Sequence, residues 1–419
     1  MTEPARRRVA VFTGNRAEYG LQFPILQAIA AHPALELYLL VSGAHLDQDF
    51  GYTLREIEAD GFRVHREVRL EMGSDTLLGT VRAIGSGILA LAPILEEIRP
   101  HWLVVYADRF EGLAALVTGT QMNIPTAHVE GGDLTEGGAL DDSVRHAMSK
   151  LAHLHLTTNT QASERIRRLG EEPWRVHTVG FPVLDLVRQG RYATPEELEA
   201  RFGLDPARPL AVFTQHSVTT EFELAESQVE PTLAALEDFA RAGGQVVATY
   251  PNNDAGGKRI IGRLEAFARS GVPRIQVHRS VGRAAYHGLL HYCARVAPGV
   301  CCGNSSSGIK ETPIFGCPAV NVGSRQRGRL RADNVIDTGY DRAEIHAALT
   351  RATRDTEFRA RCARCENPYG TGRAGEHIAD LLARIPIDRR LVRKEHPIRF
   401  GDRDQFAETG RLAPDEPGR

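Results

Sequence analysis

Acidic residues directly follow two short apolar runs in the first third of the chain. Asp108 comes after the run Trp102–Tyr106, and Glu130 comes at the end of the run over residues 125–129. Short apolar runs are typical of buried strands, and the carboxyl ends of neighbouring parallel strands meet at one edge of a sheet. Asp141 opens a helical stretch soon afterwards. Carboxylates that crowd together act as general acids and bases, so we predict that Asp108, Glu130 and Asp141 are catalytic.

Structural roles for these carboxylates remain as alternatives. Asp141 or Asp142 could cap the free N–H groups at the start of a helix. Asp108 could form an ion pair with Arg109 or with the region of Arg145. The convergence of three carboxylates at one predicted sheet edge favours catalysis over three separate structural roles.

A glycine-containing turn, residues 13–20, follows the first apolar run and opens a helix with Arg16. Backbone N–H groups at a helix start and a guanidinium together suit a diphosphate. The glycines do not form the G-x-G-x-x-G pattern, so a nicotinamide cofactor lacks its usual sequence support. The turn therefore predicts a phosphate contact by Arg16, with a purely structural turn as the alternative.

The second half of the chain offers a further set of polar residues after apolar runs. His216 follows residues 210–214, and we place it at the mouth of a cleft between the two halves, with a role in catalysis and phosphate contact. The loop 250–257 contains Asn252 and suits contact with a nucleotide. A serine turn, residues 303–308, enters a helix, where hydroxyl and N–H groups can bind a diphosphate or simply cap the helix.

Two charged groups near the serine turn favour the nucleotide interpretation. Glu311 lies one to two turns inside the predicted helix, where a carboxylate could accept the ribose hydroxyls. Arg325 belongs to an arginine cluster that follows the next strand. The pair Cys362 and Cys365 has the spacing of zinc ligands, but no second pair stands nearby, so we predict no metal site.

Short apolar runs alternate with longer amphipathic stretches along most of the chain, which indicates an α/β fold with parallel sheets. Glycine and proline cluster over residues 189–209, and the alternation then resumes. We predict two Rossmann-like, doubly wound domains with a cleft between them. Their predicted ranges are residues 1–189 and 190–385, followed by a charged tail or surface strap over residues 386–419.

Composition narrows the class of protein. The 419 residues carry 51 Lys and Arg against 53 Asp and Glu, so no overall field favours nucleic acid or an anionic membrane. The apolar run near the amino terminus is too short for a signal peptide, and we find no stretch of about 18 apolar residues for a membrane span. Six cysteines without a secretory pattern fit a reducing compartment. We predict a cytoplasmic protein without nucleic-acid or membrane partners.

Together these motifs resemble the hydrolysing UDP-N-acetylglucosamine 2-epimerases of the sialic-acid pathway. The resemblance covers roughly residues 7–384 and rests on residues 13–20, 107–111, 128–156, 215–221, 303–311 and 321–329. It implies a GT-B-type fold, a nucleotide-sugar substrate and no metal or redox cofactor, and we expect a homo-oligomer, either a dimer or a tetramer. It assigns catalysis to Asp108, Glu130 and Asp141. The nucleotide and phosphate contacts that it implies are Arg16, Ala17, Arg109, His216, Asn252, Ser305, Ser306, Glu311 and Arg325.

The family reaction that the resemblance implies removes the proton at C2 while the nucleotide leaves C1, and water then adds to the resulting glycal. UDP-N-acetylglucosamine would give N-acetylmannosamine and UDP. A GDP-linked counterpart or a UDP-linked 2,4-diacetamido sugar is an alternative donor. A non-hydrolysing epimerase, a GT-B glycosyltransferase and a non-catalytic nucleotide-sugar sensor are alternative functions.

Two positions depart from the family pattern. The family usually has glycine where Ala107 stands and proline where Ser217 stands. We interpret both changes as conservative for the backbone. The stretch 133–140 is a place where the sugar pocket could differ.

Overall fold

Two parallel sheets organise the chain. The computed structural model describes residues 6–48, 52–71, 77–134, 140–252 and 255–395. Strands and helices alternate within both halves, which confirms the predicted α/β class. Alternate residues of the first strand enter different cores, Val9 and Val11 on one face and Ala10 and Phe12 on the other. Each face of this sheet is therefore covered, as parallel sheets require.

The first sheet has seven strands in the order β3-β2-β1-β4-β5-β6-β7, and its neighbouring strands pair in parallel. Its central strand β4 is buried along its whole length, which explains the unbroken apolar run there. The strands are β1 (Arg7–Thr13), β2 (Leu35–Ser42), β3 (Val64–Val68), β4 (Trp102–Tyr106), β5 (Thr126–Val129), β6 (Leu154–Thr157) and β7 (Val176–Thr178). The helices of this half are α1 (Arg16–Ala31), α2 (Leu54–Ala59), α3 (Leu77–Ile98), α4 (Phe110–Gln121), α5 (Leu140–Leu151), α6 (Thr160–Arg168) and α7 (Leu184–Arg188).

The second sheet has six parallel strands in the order β10-β9-β8-β11-β12-β13. They are β8 (Leu210–Thr214), β9 (Gln245–Thr249), β10 (Ile275–His278), β11 (Gly299–Gly303), β12 (Ala319–Val322) and β13 (Val335–Thr338). The helices from α8 onward are α8 (Pro195–Phe202), α9 (Ala225–Arg241), α10 (Gly257–Ala268), α11 (Arg283–Arg295), α12 (Ser307–Lys310), α13 (Thr312–Phe315), α14 (Arg342–Arg354), α15 (Thr356–Cys362), α16 (Ala374–Arg384) and α17 (Arg389–Val392).

The strand order reverses once in each sheet. In the first sheet the chain goes outward from β1 to β3 and then returns to β4 on the other side of β1. In the second sheet β11 lies beside β8 for the same reason. Such a reversal opens a crevice at the carboxyl ends of the two strands, where ligands bind in open α/β sheets. The predicted site residues after β1, β4, β8 and β11 all lie at these crevices.

The last two described helices pack against the first sheet. Ile378, Ala379 and Leu382 of α16 belong to the same core as β1, and the Arg7 guanidinium donates to the carbonyl oxygens of Leu382 and Ile385 at 2.8 Å. Helix α16 lies within the segment predicted for the second domain, yet its apolar face completes the first. The domain boundaries stay predictions. Residues 396–419 of the predicted tail lie outside the described residues.

The expectation that the chain holds no apolar stretch long enough for a membrane span is wrong. Residues 78–98 of α3 form a helix of 21 residues with a mean hydropathy of 1.6, which is long and apolar enough to cross a membrane by length and composition alone. The stretch was not recognised because polar and small residues interrupt its apolar run, yet its mean hydropathy stays high. These residues include Gly79, Thr80, Arg82 and Ser86. About a quarter of this stretch is buried inside the protein, and one face, with Leu91 and Leu95, packs in the core of the first sheet.

Candidate active site

A cleft of about 1060 Å³ opens between the two halves of the chain. Helix α1 and the end of α2 line it from the first half, and the end of β9 and the start of α11 line it from the second. Of the predicted site residues, Arg16, Asn252 and Glu311 lie in its wall. Ligand pockets commonly enclose several hundred cubic ångströms, so the cleft has room for a nucleotide sugar.

Asp108 lies in the turn after β4 and forms an ion pair with Arg145 of α5. The Arg145 side chain is almost fully buried, and its other amino group lies 3.8 Å from Asp142. The ion pair that the sequence offered as a structural alternative is therefore present. It leaves a catalytic role open, because 16% of the Asp108 side chain is still exposed.

The backbone on both sides of this crevice is left-handed. Ala107 has φ +54° and Glu130 has φ +62°. A side chain at positive φ costs free energy that glycine avoids, so the change from the family's usual glycine to Ala107 is not conservative for the backbone. The interpretation at this position is wrong for that reason. Non-glycine residues held in this region cluster at functional sites.

Lys310, which the sequence analysis did not single out, joins the two halves at Glu130. Its ammonium contacts the Glu130 carboxylate and lies 2.5 Å from Oδ2 of Asp133. All three side chains are at least nine-tenths buried. Burial would raise the pKa of Asp133, but Lys310, with Arg329 and Arg145, holds it below its ordinary value. Lys310 is a lone lysine in a segment of mixed apolar and polar residues, so the sequence does not mark it. Its role follows only from its contact with Glu130 in the fold.

Asp141 and Asp142 occupy the first turn of α5 but face different surroundings. Asp141 is exposed, whereas Asp142 is buried beside Arg145. The structure therefore brings Asp108 and Asp142 to one arginine and Glu130 to Lys310. It does not bury Asp141 with them.

Arg16 begins α1 and its guanidinium pairs with Glu56 at 2.9 Å, with 64% of the arginine side chain exposed. Arg109 precedes α4 and lies 3.4 Å from the fully buried Glu111. The side chain of Ala17 lies outside the described residues. Nearby, burial raises the pKa of Glu18 to about 8, against the lowering effect of a hydrogen bond from the Gly14 N–H. Glu18 is therefore a neutral carboxyl at pH 7 behind the predicted phosphate turn.

His216 follows β8 and is held by Asn252. Nδ1 of His216 lies 3.1 Å from both the backbone N–H and the side-chain Oδ1 of Asn252. The N–H can only donate and Oδ1 can only accept, so the two contacts favour opposite tautomers of the ring. Burial, helped by the charge of Arg325, lowers the pKa of His216 to about 3. The ring is neutral at pH 7 and carries one N–H group.

The serine turn is tied to His216 by Asn304. Its side-chain oxygen accepts from the His216 N–H at 2.6 Å, and its amide donates to the His216 carbonyl oxygen at 2.8 Å. Gly303 has φ +120°, and a Cβ there would overlap the Thr214 carbonyl, so only glycine lets β11 enter the turn. Ser305 and Ser306 are half-buried. Nη1 of Arg325 donates to the carbonyl oxygen of Asn304 at 3.4 Å, which places Arg325 beside the turn.

Glu311 is not inside a continuous helix as predicted. Helix α12 ends at Lys310 and α13 begins at Thr312, so Glu311 stands at the junction between them. Pro313 lacks an N–H group and cannot continue the hydrogen bonds of α12. Glu311 still faces the cleft, and its Oε2 lies 2.8 Å from Nε2 of His287.

The family described as UDP-N-acetylglucosamine 2-epimerase matches residues 27–383 of the chain. The chain belongs to the UDP-N-acetylglucosamine 2-epimerase family. A UDP-N-acetylglucosamine 2-epimerase of Neisseria meningitidis is 32% identical over 84% of the chain and 89% of that relative. A relative from Legionella pneumophila, named UDP-N,N'-diacetylbacillosamine 2-epimerase (hydrolyzing), is 30% identical over 93% of the chain and 98% of the relative.

Solved structures of epimerases in this family share the fold. The Neisseria meningitidis UDP-GlcNAc 2-epimerase, solved with UDP-GlcNAc bound, superimposes with a TM-score of 0.71 at 16% identity, over 90% of this chain and 99% of that one. A putative UDP-N-acetylglucosamine 2-epimerase from Listeria monocytogenes gives a TM-score of 0.73 at 17% identity, over 90% and 96% of the two chains. These likenesses support the predicted two-domain, GT-B-type architecture.

Proposed function

We propose that this epimerase hydrolyses its substrate: it converts UDP-N-acetylglucosamine or a close analogue, with water, to free N-acetylmannosamine or its analogue and UDP. Two relatives whose names include "hydrolyzing" support the proposal, the Legionella protein and one from Campylobacter jejuni that is 29% identical over 80% of this chain. We further propose that the reaction takes place in the cytoplasm and needs no metal or redox cofactor.

The link between Lys310 and Glu130 is the observation that carries the proposal. Ser306 and Lys310 are four residues apart, which is about one helical turn or ~6 Å. Because Lys310 contacts Glu130, the predicted diphosphate turn of the second half lies next to a predicted catalytic carboxylate of the first. A leaving diphosphate at the turn would thus place the sugar carbons near Glu130.

The elimination step needs a base at C2 and stabilisation of the departing diphosphate. In the proposed reaction a carboxylate takes the C2 proton, the C1–oxygen bond breaks, and the electron pair forms the C1–C2 double bond of a glycal. Ser305 and Ser306 would bind the phosphate oxygens, and the neutral His216 would add a donor in the tautomer that carries its proton on Nε2. Arg16 and Arg325 would add positive charge.

The hydration step reverses the proton flow. Water adds its hydroxyl to C1 and gives its proton to a carboxylate, while a protonated carboxyl gives a proton to C2 on the opposite face, so the sugar leaves with inverted C2. We propose that Asp108, Glu130 and Asp141 share these transfers. Asp142 joins them as a candidate because it is buried beside the same arginine as Asp108.

A UDP-linked 2,4-diacetamido sugar is a second candidate donor. The names of the Legionella and Campylobacter relatives include diacetylbacillosamine, and the Campylobacter name also includes GDP. The Neisseria relative, at 32% identity, is named for UDP-N-acetylglucosamine. The donors must therefore be compared directly.

The deciding experiment offers each donor to the purified protein in deuterated water and follows the products by NMR. Free manno-configured sugar deuterated at C2, together with the nucleoside diphosphate, is the expected result. A sugar that stays linked to the nucleotide would make the protein a non-hydrolysing epimerase. Turnover only with an added acceptor would make it a glycosyltransferase, and binding without any turnover would make it a sensor.

A further inference from the structure

Two side chains of the second half reach across to one short segment of the first half, residues 130–134. The Lys310 ammonium contacts the carboxylate of Glu130 at the start of the segment. The Nε of Arg329 donates to the carbonyl oxygen of Leu134 at the end of the segment, at 2.7 Å. The second half therefore holds this segment at both of its ends.

The position of the Lys310 ammonium is fixed by aromatic rings as well as by carboxylates. It lies 5.0 and 5.4 Å from the ring centres of Phe181 and Tyr369, and cations are attracted to aromatic rings at such distances. Glu130 and Asp133 share the same ammonium. Replacement of the lysine would leave two buried carboxylates without their common cation.

One route from the serine turn to this segment passes through the backbone of α12. The N–H of Lys310 donates to the carbonyl oxygen of Ser306 at 2.8 Å. The carbonyl oxygen of Lys310 in turn accepts from the Asn367 side chain at 2.9 Å. Helix α12 is about one turn long, so a ligand that fixes Ser306 also fixes the backbone of Lys310. From there the lysine side chain leads to Glu130.

A second route passes through buried amide side chains. Nη1 of Arg329 donates to Oε1 of Gln326 at 2.8 Å, and Nε2 of Gln326 donates to the carbonyl oxygen of Asn304, also at 2.8 Å. Asn304 directly precedes Ser305, and its side chain holds the backbone of His216. Gln326 and Asn304 are both buried, where hydrogen bonds are stronger than in water. The serine turn is thus linked to Leu134 by a short chain of hydrogen bonds.

The loop that carries Arg329 also packs against the segment. Gly328 has φ +82°, a left-handed conformation that glycine adopts without strain. A Cβ at this position would lie 3.3 Å from Cδ1 of Leu134, closer than ordinary van der Waals contact. Glycine therefore lets the loop of the second half approach the first half closely.

We propose that Lys310 and Arg329 are positioning residues that couple the serine turn to the segment 130–134. A nucleoside diphosphate bound at the turn fixes this segment through the two routes, and with it the Glu130 carboxylate. The inference rests on the proposed function, and it adds that the nucleotide on one half sets the geometry of a proton-transfer group on the other.

Other neighbours of Glu130 come from its own half. Arg145 and the Tyr106 phenol both lie close enough to interact with its carboxylate. Because they belong to the first half, they hold Glu130 whether or not a nucleotide is bound to the second. Lys310 and Arg329 belong to the half with the serine turn, so their contacts can transmit nucleotide binding.

Turnover of Lys310→Met and Arg329→Met tests the two routes separately. We expect kcat of Lys310→Met to fall about 100-fold, as small misplacements of catalytic groups do, while KM and calorimetric UDP affinity change little. Arg329→Met should lower kcat less, because it releases the end of the segment away from Glu130. Lys310→Arg keeps the charge and should recover part of kcat. Arg241→Met, in an exposed pair on α9, is the control and should turn over normally.

Amide hydrogen exchange measures the coupling without any turnover. In the native protein, saturating UDP should slow exchange over residues 128–134. This protection should shrink in each single variant and vanish in the double variant Lys310→Met/Arg329→Met, because the two routes reach the segment separately. A merely structural role would change exchange equally with and without UDP, and would leave the difference that UDP makes as it is in the native protein.

The outcomes separate this inference from the proposed function. Native UDP-dependent protection in the double variant, or no such protection in the native protein, would overturn the coupling and leave hydrolysis standing. Loss of UDP affinity in parallel with kcat would make the two side chains nucleotide contacts, which also overturns it. A native protein that gains the protection but hydrolyses no donor overturns the proposed function alone. If Lys310→Met does not fold, Arg329→Met decides by the same measurements.

Discussion

At the scale of single residues, buried ion pairs set the charges of the candidate site. Asp108 is paired with Arg145, and Glu130 and Asp133 with Lys310. Each pair brings together residues that are far apart in the sequence. The sequence could place the carboxylates at a sheet edge from the ends of apolar runs, and it offered the region of Arg145 as one partner of Asp108. It could not identify Lys310 as the partner of Glu130, because no spacing marks that lysine on α12.

Replacement of Asp108 by asparagine tests its catalytic role. Asp108→Asn keeps the shape of the side chain but removes the proton-transfer group, so kcat should fall by about 10²- to 10⁴-fold. UDP affinity, measured by calorimetry, should change little. Asp205→Asn, in an exposed pair with Arg208, serves as the control. Parallel loss of UDP binding would show that Asp108 shapes the site and is not itself catalytic.

Backbone strain at Ala107 gives a second prediction at this scale. Because φ is +54°, Ala107→Gly should relieve strain and raise the free energy of unfolding by up to about 1 kcal/mol. Ala207→Gly, in a turn whose φ is not left-handed, should lower it slightly because glycine has more freedom when unfolded. Chemical denaturation measures both. Equal destabilisation by the two changes would contradict the strain.

At the scale of elements, prediction succeeded where apolar runs are unbroken and failed where polar residues interrupt them. Strands β1, β4 and β8 were predicted from their apolar runs because they are central and buried. The edge strands β3, β7 and β13 were not predicted, because they contain charged or polar residues such as Arg66 and His177. The interior strand β6 was missed as well, since His155 interrupts its short apolar run, whereas the edge strand β10 was predicted. The break between α12 and α13 was also missed, although Pro313 stands in the sequence.

The entry of β11 into the serine turn depends on one glycine. Gly303→Ala would combine a strained φ with an overlap on the Thr214 carbonyl, so we expect a loss of about 3 kcal/mol or more in unfolding free energy. Gly262→Ala, in the interior of α10 where a Cβ meets nothing within 4 Å, should instead gain about 1 kcal/mol. Thermal and chemical unfolding compare the two. Equal effects would contradict the requirement for glycine at the turn.

At the scale of the whole molecule, buried titrating groups determine how stability depends on pH. Burial lowers the pKa of His45 and His153 to about 4 and that of His128 and His216 to about 3. In the unfolded chain histidines take up protons below about pH 6.5. The unfolded state therefore binds more protons between about pH 6.5 and 4, and stability falls as the pH falls through this range. The raised pKa values of Glu18 and Asp185 act in the opposite direction, but the four histidines outnumber these two groups.

The expected result is a steep loss of stability on mild acidification. Each of these histidines contributes up to about 1.4 kcal/mol per pH unit within the window. Chemical denaturation at several pH values between about 7 and 5 should show unfolding free energy falling with pH. A profile that is flat, or that rises on acidification, would mean that the histidines are not held neutral in the folded protein.

The contact between Arg175 and the carboxyl-terminal segment gives a further prediction. This fully buried guanidinium donates to the carbonyl oxygens of Leu391 at 2.6 Å and of Arg390 at 2.8 Å, and also pairs with Glu172. Arg175→Met should cost about 3–5 kcal/mol of unfolding free energy, because it strands a carboxylate and several carbonyls. Arg208→Met, in an exposed pair, should cost less than about 1 kcal/mol. Equal losses of unfolding free energy in the two variants would contradict a stabilising contact between Arg175 and the carboxyl-terminal segment.

The return of α16 and α17 to the first sheet has a consequence for synthesis. The carbonyl partners of Arg7 in β1 are Leu382 and Ile385, which are synthesised 375 and 378 residues later. During synthesis, the apolar surface of the first sheet beneath α16 therefore stays uncovered until the second half has been made. A chain truncated before residue 374 would have every strand of both sheets, but the face of the first sheet beneath α16 would stay uncovered.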